Sequence, residues 1–425
     1  MVNPYHWDDI KTKITALDVN PDLKISRLRQ FGGTSGHWGG WSKPREEYSY
    51  QDWPINTNEL DKYTNRTCEI LEIKNLFRKS SLNNYFNQIE FKTSQVRFAS
   101  KYKNHIKKSD KISLILNTQL LYFVGKNKIT NHAVCSSNGK IINISSKYFI
   151  LSCGGIENSR ILLWTREKNK ELVSSDLPIG NYWMNHPYIL SGSGAVDKKK
   201  LQKKLRDKFL DYPANGLMHF ASKNELLKDK NVLSANIFMK SKEDLKLYKE
   251  VIRDILCVAP KYGNKIIQKI LNKDLQCGNI YMQLEEEPNK DNKIILGKSK
   301  DINGVPMTKL FYKKSKNSLM SAKLIMEEFA NLCRKEDLGR IGIKENIYNL
   351  DSFENLGAYH HMGGTRMGID KHDSVVDKDL KVHDINNLYI SGSSIFVTGG
   401  YTNPTFAIIQ FALRIADEIN KKLQA

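Results

Sequence analysis

Several features that define common protein classes are missing from this sequence of 425 residues. No apolar run reaches the roughly 18 residues that a membrane-spanning helix needs. The N-terminal segment MVNPYHWDDI also lacks the basic-then-apolar layout of a signal peptide. The six cysteines are widely spaced and form no CxxC pair, which argues against a disulfide framework or a zinc site. These absences predict a soluble, cytoplasmic protein without a structural metal.

Two further absences concern the organisation of the chain. No internal repeat and no low-complexity linker divides it, so its length predicts two domains that can be interleaved. Glycines at positions i, i+2 and i+5, which usually follow the first strand of a dinucleotide-binding unit, occur nowhere in the sequence. The usual glycine signature of a pyrophosphate site is therefore absent.

The formal charge of +20 raises the question of a nucleic-acid partner. The lysines are spread along the whole chain and are not gathered on one element with interleaved aromatic residues. We therefore expect solvated surface lysines and no specific nucleic-acid binding. One segment, KKKLQKKLRDKFL at positions 198–210, has the pattern of a basic amphipathic helix that would contact a membrane surface or an acidic partner.

Alternating apolar and polar residues predict a β-meander in the first half of the chain. It includes positions 111–125, has a turn at Asn138-Gly139 and ends in an apolar strand at positions 148–151. Gly154-Gly155 then makes a tight turn before a helix with an apolar stripe. A strand, a glycine turn and a helix N-terminus in this order favour an anion-tolerant corner.

The middle of the chain has a different texture, with strands and amphipathic helices of ordinary character. We expect strands in the segments HFAS, NVLSANIFMK and NIYMQLEEE, and a hairpin turn at positions 301–304. The segment KNSLMSAKLIMEEFANLCRKE carries an apolar stripe typical of a helix that packs on a sheet. That stripe consists of Ala322, Ile325, Met326, Phe329 and Leu332.

The loop RQFGGTSGHWGGW, at positions 29–41, is rich in glycine. Glycine lets backbone N–H groups approach a phosphate or a flat ring that any Cβ would hold away. Trp38 and Trp41 offer flat apolar surfaces, for the core or for the wall of a cofactor site. His37 is either a hydrogen-bonding loop residue or a group that faces such a ring.

Two adjacent histidines, His360 and His361, precede the sequence MGGTRM. Neighbours in an extended segment point to opposite sides, so at most one of them faces a given pocket and the pair makes a poor metal site. A histidine has an unperturbed pKa near 6.5, which suits a general base for a hydroxyl proton at neutral pH. The alternative is a core histidine whose polar atoms are satisfied by the backbone.

The C-terminal helix has a clear start signal in Asn403 followed by Pro404. Asparagine suits the N-cap and proline the first helical position, so capping alone can explain this asparagine. A helix N-terminus that leaves a glycine-rich turn also stabilises an electron-rich group in front of it. Arg366 has a simpler interpretation, as the ion-pair partner of a carboxylate such as Asp370 or Asp377.

Taken together and in this order, these segments resemble the glucose-methanol-choline (GMC) family of flavin-dependent oxidoreductases. The resemblance extends from about position 29 to the C-terminus and is strongest in FGGTSGHWGGW, FILSCGGIENSRILL, IGNYWMNHPY and the block 359–419. It implies an α/β fold, with an incomplete doubly wound FAD-binding domain and an inserted α+β substrate domain of antiparallel sheet and helices. The FAD-binding domain would comprise residues 1–44, 96–190 and 346–425, and the substrate domain residues 45–95 and 191–345.

The resemblance also implies roles for individual residues. His360 would be the catalytic base that takes the hydroxyl proton of an alcohol or sugar while a hydride moves to flavin N5, and His361 is the minor candidate. Asn403 would hold the same oxygen. The residues expected to contact FAD are Gly32, Gly33, Thr34, Ser35, His37, Trp38, Gly392, Ser393, Pro404 and Thr405. In some members a histidine at the position of His37 is bonded to the flavin, and in others it is not.

One feature of the family is missing, because its members begin with a strand, a GxGxxG turn and a helix that hold the FAD pyrophosphate. The sequence therefore predicts an N-terminally truncated chain that lacks an FAD-binding segment. A fragment completed by another polypeptide and a catalytically dead remnant are the alternatives. A non-enzymatic basic protein that binds nucleic acid or a membrane surface is the rival from another class. The electron acceptor and the particular substrate are not indicated.

Overall fold

The structure is a computed structural model that describes residues 13–14, 27–205, 217–241, 275–348 and 359–424. Its strands are β1 (Lys13–Ile14), β2 (Trp41–Ser42), β3 (Lys79–Ser81), β4 (Phe86–Ile89), β5 (Lys92–Thr93), β6 (Thr118–Lys126), β7 (Ile129–Ser137), β8 (Lys140–Ser145), β9 (Phe149–Leu151), β10 (Tyr188–Asp197), β11 (Leu217–Ser222), β12 (Ala235–Ser241), β13 (Leu275–Leu284), β14 (Lys293–Lys300), β15 (Pro306–Phe311), β16 (Gly339–Ile343) and β17 (Leu388–Ile390). Its helices are α1 (Asn58–Asp61), α2 (Thr64–Leu71), α3 (Phe98–Lys108), α4 (Glu157–Lys168), α5 (Lys198–Lys204), α6 (Asn224–Lys230), α7 (Lys316–Lys335) and α8 (Thr405–Gln424).

A seven-stranded sheet in the order β16-β10-β13-β12-β11-β4-β3 organises the middle of the chain. All of its neighbouring strands are antiparallel. Helix α7 packs its predicted apolar stripe on one face, where the Phe329 ring lies 5.3 Å from that of Phe86 and 5.0 Å from that of Phe220. The predicted strands β11, β12 and β13 and the predicted helix are confirmed. The other face of this sheet carries Gln283 towards the candidate site.

A parallel pair of strands organises the other part of the α/β fold. Strand β9 pairs with β17, and among the described residues these two form a sheet of their own. Helix α4 follows β9 and helix α8 ends the chain, and residues of both contribute to one large apolar core. Both strands run into glycine turns, at Gly154 and Gly392. In open α/β sheets, ligands bind at such carboxyl ends of parallel strands.

The β-meander is confirmed in strands β6, β7 and β8. Its turn at Asn138-Gly139 has φ values of 49° and 79°, the left-handed conformation that a two-residue hairpin turn needs. The prediction for positions 111–117 is wrong, because the ladder with β7 begins only at Thr118, opposite Ser137. Residues 111–117 have no strand partner among the described residues, and Leu116 is 56% exposed.

The hairpin turn predicted at positions 301–304 joins β14 to β15. The Gly304 amide donates to the Asp301 carbonyl over 2.9 Å. The Asp301 carboxylate accepts from Arg160 of helix α4 at 2.7 Å, and both side chains are buried. The hairpin therefore lies against the helix that follows β9, although it falls within the range assigned to the substrate domain. The domain limits stay predictions.

The basic segment 198–210 begins as helix α5. Its N-cap is Asp197, whose side chain accepts from the Lys200 amide at 3.1 Å. Leu201 and Leu205 are buried against the sheet. The end of the predicted amphipathic helix, positions 206–210, lies outside the described residues. Among the helices that the structure describes, none combines the length and apolarity needed to cross a membrane.

Buried His219 on the seven-stranded sheet gives a prediction about stability and pH. Burial lowers its pKa from 6.5 to about 4, so below pH 6.5 the unfolded chain binds a proton that the folded chain excludes. Stability is then present above pH 6.5 and is lost as the pH falls towards 4. For His219→Gln, whose amide can still bond Asn236 as the imidazole does, we expect a smaller loss. Urea unfolding at pH 7 and at pH 4.5 measures how much stability each protein loses between these pH values. We expect the unmodified protein to lose more than His219→Gln by on the order of 2 kcal/mol. An equal loss in both proteins would contradict this prediction.

Candidate active site

The adjacent histidines His360 and His361 face opposite sides of an extended segment. His361 is buried, and its ring stacks on Trp183 with 5.7 Å between centroids. His360 is half-buried and its Nδ1 lies 2.9 Å from Nδ1 of His186. The segment is held on one side by Met362, which exchanges backbone hydrogen bonds with Met184. The expected arrangement, in which only one histidine faces a given pocket, is thus present.

His186 is the inner neighbour of His360. Its side chain is fully buried, and burial lowers its pKa from 6.5 to about 4. Its Nε2 lies 3.3 Å from the carbonyl oxygen of Gly399. The pKa of His360 is also lowered well below its usual value, first by burial and then by the charges of the neighbouring histidines. Both rings are therefore neutral at pH 7.

Asn403 joins this group through Gln283 of strand β13. The Gln283 amide Nε2 donates to Asn403 Oδ1 at 3.1 Å and to the Tyr401 carbonyl at 2.8 Å, and lies 3.3 Å from His186 Nδ1. Helix α8 begins at Thr405, and the Pro404 carbonyl accepts from the Ile408 amide at 2.9 Å. Pro404 thus directly precedes the helix, and the first helical position is Thr405 rather than the proline.

A buried carboxyl group supports the segment from behind. Glu286 Oε2 accepts from the Asn185 amide at 2.8 Å, and Asn185 Oδ1 in turn accepts from the backbone amides of His186 and His360. Burial raises the pKa of Glu286 to about 8, against the opposing effect of hydrogen bonds with Tyr312 and the Asn185 amide. This carboxyl group, together with Asn185, fixes the backbone at His186 and at His360.

Arg45 fixes the turn on the opposite side. Its guanidinium is buried and donates to the carbonyl of Gly399 at 2.5 Å and to that of Thr398 at 3.1 Å. Three aromatic rings surround it, with centroids 5.1 to 5.4 Å from Cζ. The Gly399 carbonyl also faces His186. By holding this carbonyl, Arg45 fixes the position of the oxygen that His186 contacts.

The glycine-rich loop packs beside helices α3 and α8. Ser35 Oγ donates to the Gly32 carbonyl at 2.6 Å and accepts from the Phe98 amide at 3.1 Å, so this hydroxyl serves the loop itself. Trp38 Nε1 donates to the Val96 carbonyl at 2.9 Å, and the Trp38 ring packs on the cluster that includes residues of α8. The loop residues exposed to solvent include Thr34 and His37.

The turn after β17 meets the turn after β9. Asn158 bridges them, because its Nδ2 donates to the Ser391 carbonyl at 3.0 Å and to Ser394 Oγ at 2.8 Å. Ser393 Oγ donates to the His361 carbonyl at 2.5 Å. The predicted residue Ser393 therefore adjoins the histidine segment. Arg366 pairs with a carboxylate as predicted, but the partner is Asp373, at 3.3 Å, and not one of the two examples, Asp370 and Asp377.

The site residues that sequence reasoning missed include Arg45, His186, Gln283 and Glu286. His186 lies in IGNYWMNHPY, a segment that carried part of the family resemblance, so a signal for it existed. Gln283 lies in a correctly predicted strand, whose alternation shows that it shares a face with Tyr281. No pattern near Arg45 or Glu286 indicates their burial.

Comparison with known proteins gives a consistent result. The sequence model of the GMC oxidoreductase family matches residues 288–412. Over these residues the chain is thus similar to GMC oxidoreductases. It is 24% identical over 314 residues to the fructose dehydrogenase large subunit of Gluconobacter japonicus, covering 70% of this chain and 52% of that protein. It is 25% identical over 287 residues to 2-methyl-1,2-propanediol dehydrogenase of Mycolicibacterium austroafricanum, covering 66% and 49%. The chain thus spans about half the length of these curated relatives.

A solved structure shows the same fold. Pyridoxine 4-oxidase from Mesorbium loti superimposes with a TM-score of 0.59 at 10% identity, covering 95% of this chain and 88% of that one. This likeness supports the predicted α/β class, in which an FAD-binding fold is combined with an antiparallel sheet and helices. At 10% identity this similarity shows a shared fold and does not indicate a shared substrate or shared catalytic residues.

The residues around the glycine turns fit the ring of FAD, the cofactor of GMC oxidoreductases. A Cβ added at Gly33 or Gly154 would meet nothing within 4 Å, so the backbone there is open to a flat ligand. Gly392 has a φ of 105°, and a Cβ added there would meet only Asn158 Nδ2, at 3.9 Å. Thr402 Oγ1, three residues before the start of helix α8 at Thr405, is buried without a hydrogen-bond partner among the described residues. An unpaired hydroxyl next to a helix N-terminus suits a polar ring edge.

Proposed function

We propose that this GMC-family chain is part of an FAD-dependent oxidoreductase that oxidises a hydroxyl group of an alcohol or sugar. The observation that carries the proposal is the half-buried His360, neutral at pH 7 and connected through His186 and Gln283 to Asn403. A neutral imidazole can accept a hydroxyl proton, and an amide beside it can hold the hydroxyl oxygen in place.

His360 is the proposed base for the substrate hydroxyl. Asn403 holds the same oxygen: its Oδ1 already accepts from Gln283, so its Nδ2 is the atom that can donate to substrate. Together they orient the hydroxyl carbon, because one group fixes the proton and the other fixes the oxygen. His361, whose ring stacks on Trp183, is assigned to the support of the segment.

FAD is the proposed cofactor, and when bound it supplies the acceptor for the hydride from the hydroxyl-bearing carbon. Its ring would be held by the loop residues Gly32, Gly33, Thr34, His37 and Trp38. The C-terminal contacts would come from Gly392, Thr402, Pro404 and Thr405. The N-terminus of α8 would favour negative charge on a ring edge bound in front of it. Ser35 and Ser393 would act indirectly, because their hydroxyls hold the loop and the histidine segment.

Firm FAD binding is proposed to require a pyrophosphate-binding segment, since the 425 residues contain no GxGxxG motif. A chain supplied with a strand–GxGxxG–helix unit ahead of the loop is expected to purify with bound FAD. The chain without this unit is expected to bind FAD more weakly in a fluorescence titration. Equal affinity of the two proteins would contradict this requirement.

The proposed substrate is a polyhydroxylated molecule such as a sugar or a vicinal diol. The half-buried rings of Tyr188 and Tyr281 lie 5.4 Å apart on the sheet face that carries Gln283. Flat rings next to amides can bind a molecule that has both apolar C–H faces and hydroxyl groups. The relatives named for fructose and for a propanediol support the same class.

Anaerobic mixing of the FAD-loaded protein with sugars, vicinal diols and simple alcohols tests this proposal. We expect at least one sugar or diol to remove the absorbance of oxidised flavin. The matched control is the same compound with the reacting hydroxyl replaced by hydrogen, which should leave the flavin oxidised. If every hydroxyl compound leaves the flavin oxidised, the proposed activity is wrong.

A further inference from the structure

The contact between His360 and His186 determines which nitrogen of the base carries its proton. We propose that His186 is a positioning residue that holds a proton on Nδ1 of His360 and leaves Nε2 of His360 bare to accept the substrate proton. The inference deepens the proposed function and rests on it only in naming a substrate hydroxyl as the source of the proton that His360 accepts. The arrangement of protons follows from three groups in sequence: the Gly399 carbonyl, His186 and His360.

The chain of hydrogen bonds begins at the Gly399 carbonyl, which can only accept. Arg45 donates to this oxygen at 2.5 Å, and His186 Nε2 approaches it to 3.3 Å. A bare Nε2 would place one lone pair against another, so Nε2 of His186 carries a hydrogen. A neutral imidazole has one N–H, and Nδ1 of His186 is therefore an acceptor.

His360 supplies the hydrogen for that acceptor. The two Nδ1 atoms are 2.9 Å apart, a hydrogen-bond distance that requires one donor. Because Nδ1 of His186 is the acceptor, Nδ1 of His360 is the donor. In a neutral His360 this leaves Nε2 without a proton.

Among the described contacts, Gln283 is the one further donor near the acceptor His186 Nδ1. It does not replace His360 as the donor to this nitrogen. Its amide has two hydrogens, and its shorter contacts are to the Tyr401 carbonyl at 2.8 Å and to Asn403 Oδ1 at 3.1 Å. The contact with His186 Nδ1 is longer, at 3.3 Å. The lone pair of His186 thus remains with His360.

Neutrality of both rings is consistent with this assignment. Burial lowers the pKa of His186 to about 4, and the pKa of His360 is lowered well below 6.5 by burial and by its neighbours. When His360 accepts a proton at Nε2, its Nδ1–H still donates to His186. The bond to His186 would then stabilise the imidazolium, since a charge-assisted hydrogen bond is stronger than a neutral one.

The direct test is the tautomer of His360 in the 425-residue chain, measured by nitrogen-15 NMR of the histidine rings. The His360 signals are identified by their loss in His360→Ala. In the unmodified chain at pH 7 we expect the Nδ1–H form. An Nε2–H form would overturn the proposal, whatever the activity of the FAD-loaded protein proves to be.

Two variants separate positioning from packing. His186→Leu removes the acceptor, so we expect His360 to lose its Nδ1–H preference and flavin reduction to slow by on the order of 10²- to 10⁴-fold. His186→Gln keeps an acceptor oxygen and should restore the tautomer and at least part of the rate. Unchanged His360 tautomers in His186→Leu would contradict the proposal. Correct tautomers in a chain whose FAD-loaded form oxidises no hydroxyl would refute only the proposed function.

Discussion

Replacing His360 by alanine is expected to slow substrate-driven flavin reduction by about 10²- to 10⁴-fold, because the hydroxyl proton loses its acceptor. The absorbance of bound FAD should persist, since the proposed FAD contacts lie on other residues. Stopped-flow mixing of the FAD-loaded variant with substrate under anaerobic conditions measures the rate. Substrate affinity should change less than the rate, because a general base interacts with the hydroxyl proton most strongly in the transition state.

His361→Phe is the matched control for this prediction. His361 is the adjacent residue and the minor candidate for the base, but its ring faces Trp183 at 5.7 Å. Phenylalanine keeps a ring for this stacking and removes both nitrogens. We expect its effect on the rate to be much smaller than that of His360→Ala. A reversed order of the two effects would assign the base to His361.

Replacing Arg45 by methionine is expected to destabilise the protein by roughly 2–4 kcal/mol, because the carbonyls of buried Gly399 and half-buried Thr398 lose a charged donor. The Tyr50, Trp53 and Phe396 rings also lose the cation between them. Flavin reduction should slow as well, since the carbonyl that His186 faces is no longer fixed. Urea unfolding measures the first effect and stopped-flow absorbance the second.

Arg340→Met provides the control for that substitution. The Arg340 side chain is 67% exposed and pairs with Asp337 at 3.4 Å. An exposed ion pair of this kind is screened by solvent and contributes little to stability, so we expect little change in the free energy of unfolding or in the rate. Equal destabilisation by both substitutions would show that Arg45 has no special role in the turn.

Local patterns predicted the secondary structure well because their causes are local. The turn at Asn138-Gly139 requires positive φ at both residues, and the stripe of helix α7 repeats with the helical period. The prediction failed at positions 111–117, where the sequence alternates like a strand. The ladder with β7 begins later, and strand pairing depends on a partner that the segment itself does not specify.

The candidate site was only partly predictable, because its contacts join distant parts of the chain. His360 could be selected from its neighbours and from the family resemblance. Its ring partner, His186, lies 174 residues away, and the Gly399 carbonyl lies 354 residues from Arg45. No sequence period indicates such pairs. Their identification needed the fold, which brings strand β13, the turn before α8 and the histidine segment together.

The most direct test of the central claim is an anaerobic single turnover of the FAD-loaded protein with a sugar or diol that reduces it. The account predicts one carbonyl product for each flavin reduced, and a slower reduction when the C–H bond at the reacting carbon is replaced by C–D. Flavin reduction without a carbonyl product, or a rate that is insensitive to this deuterium at every substrate concentration and unchanged in His360→Ala, would contradict it.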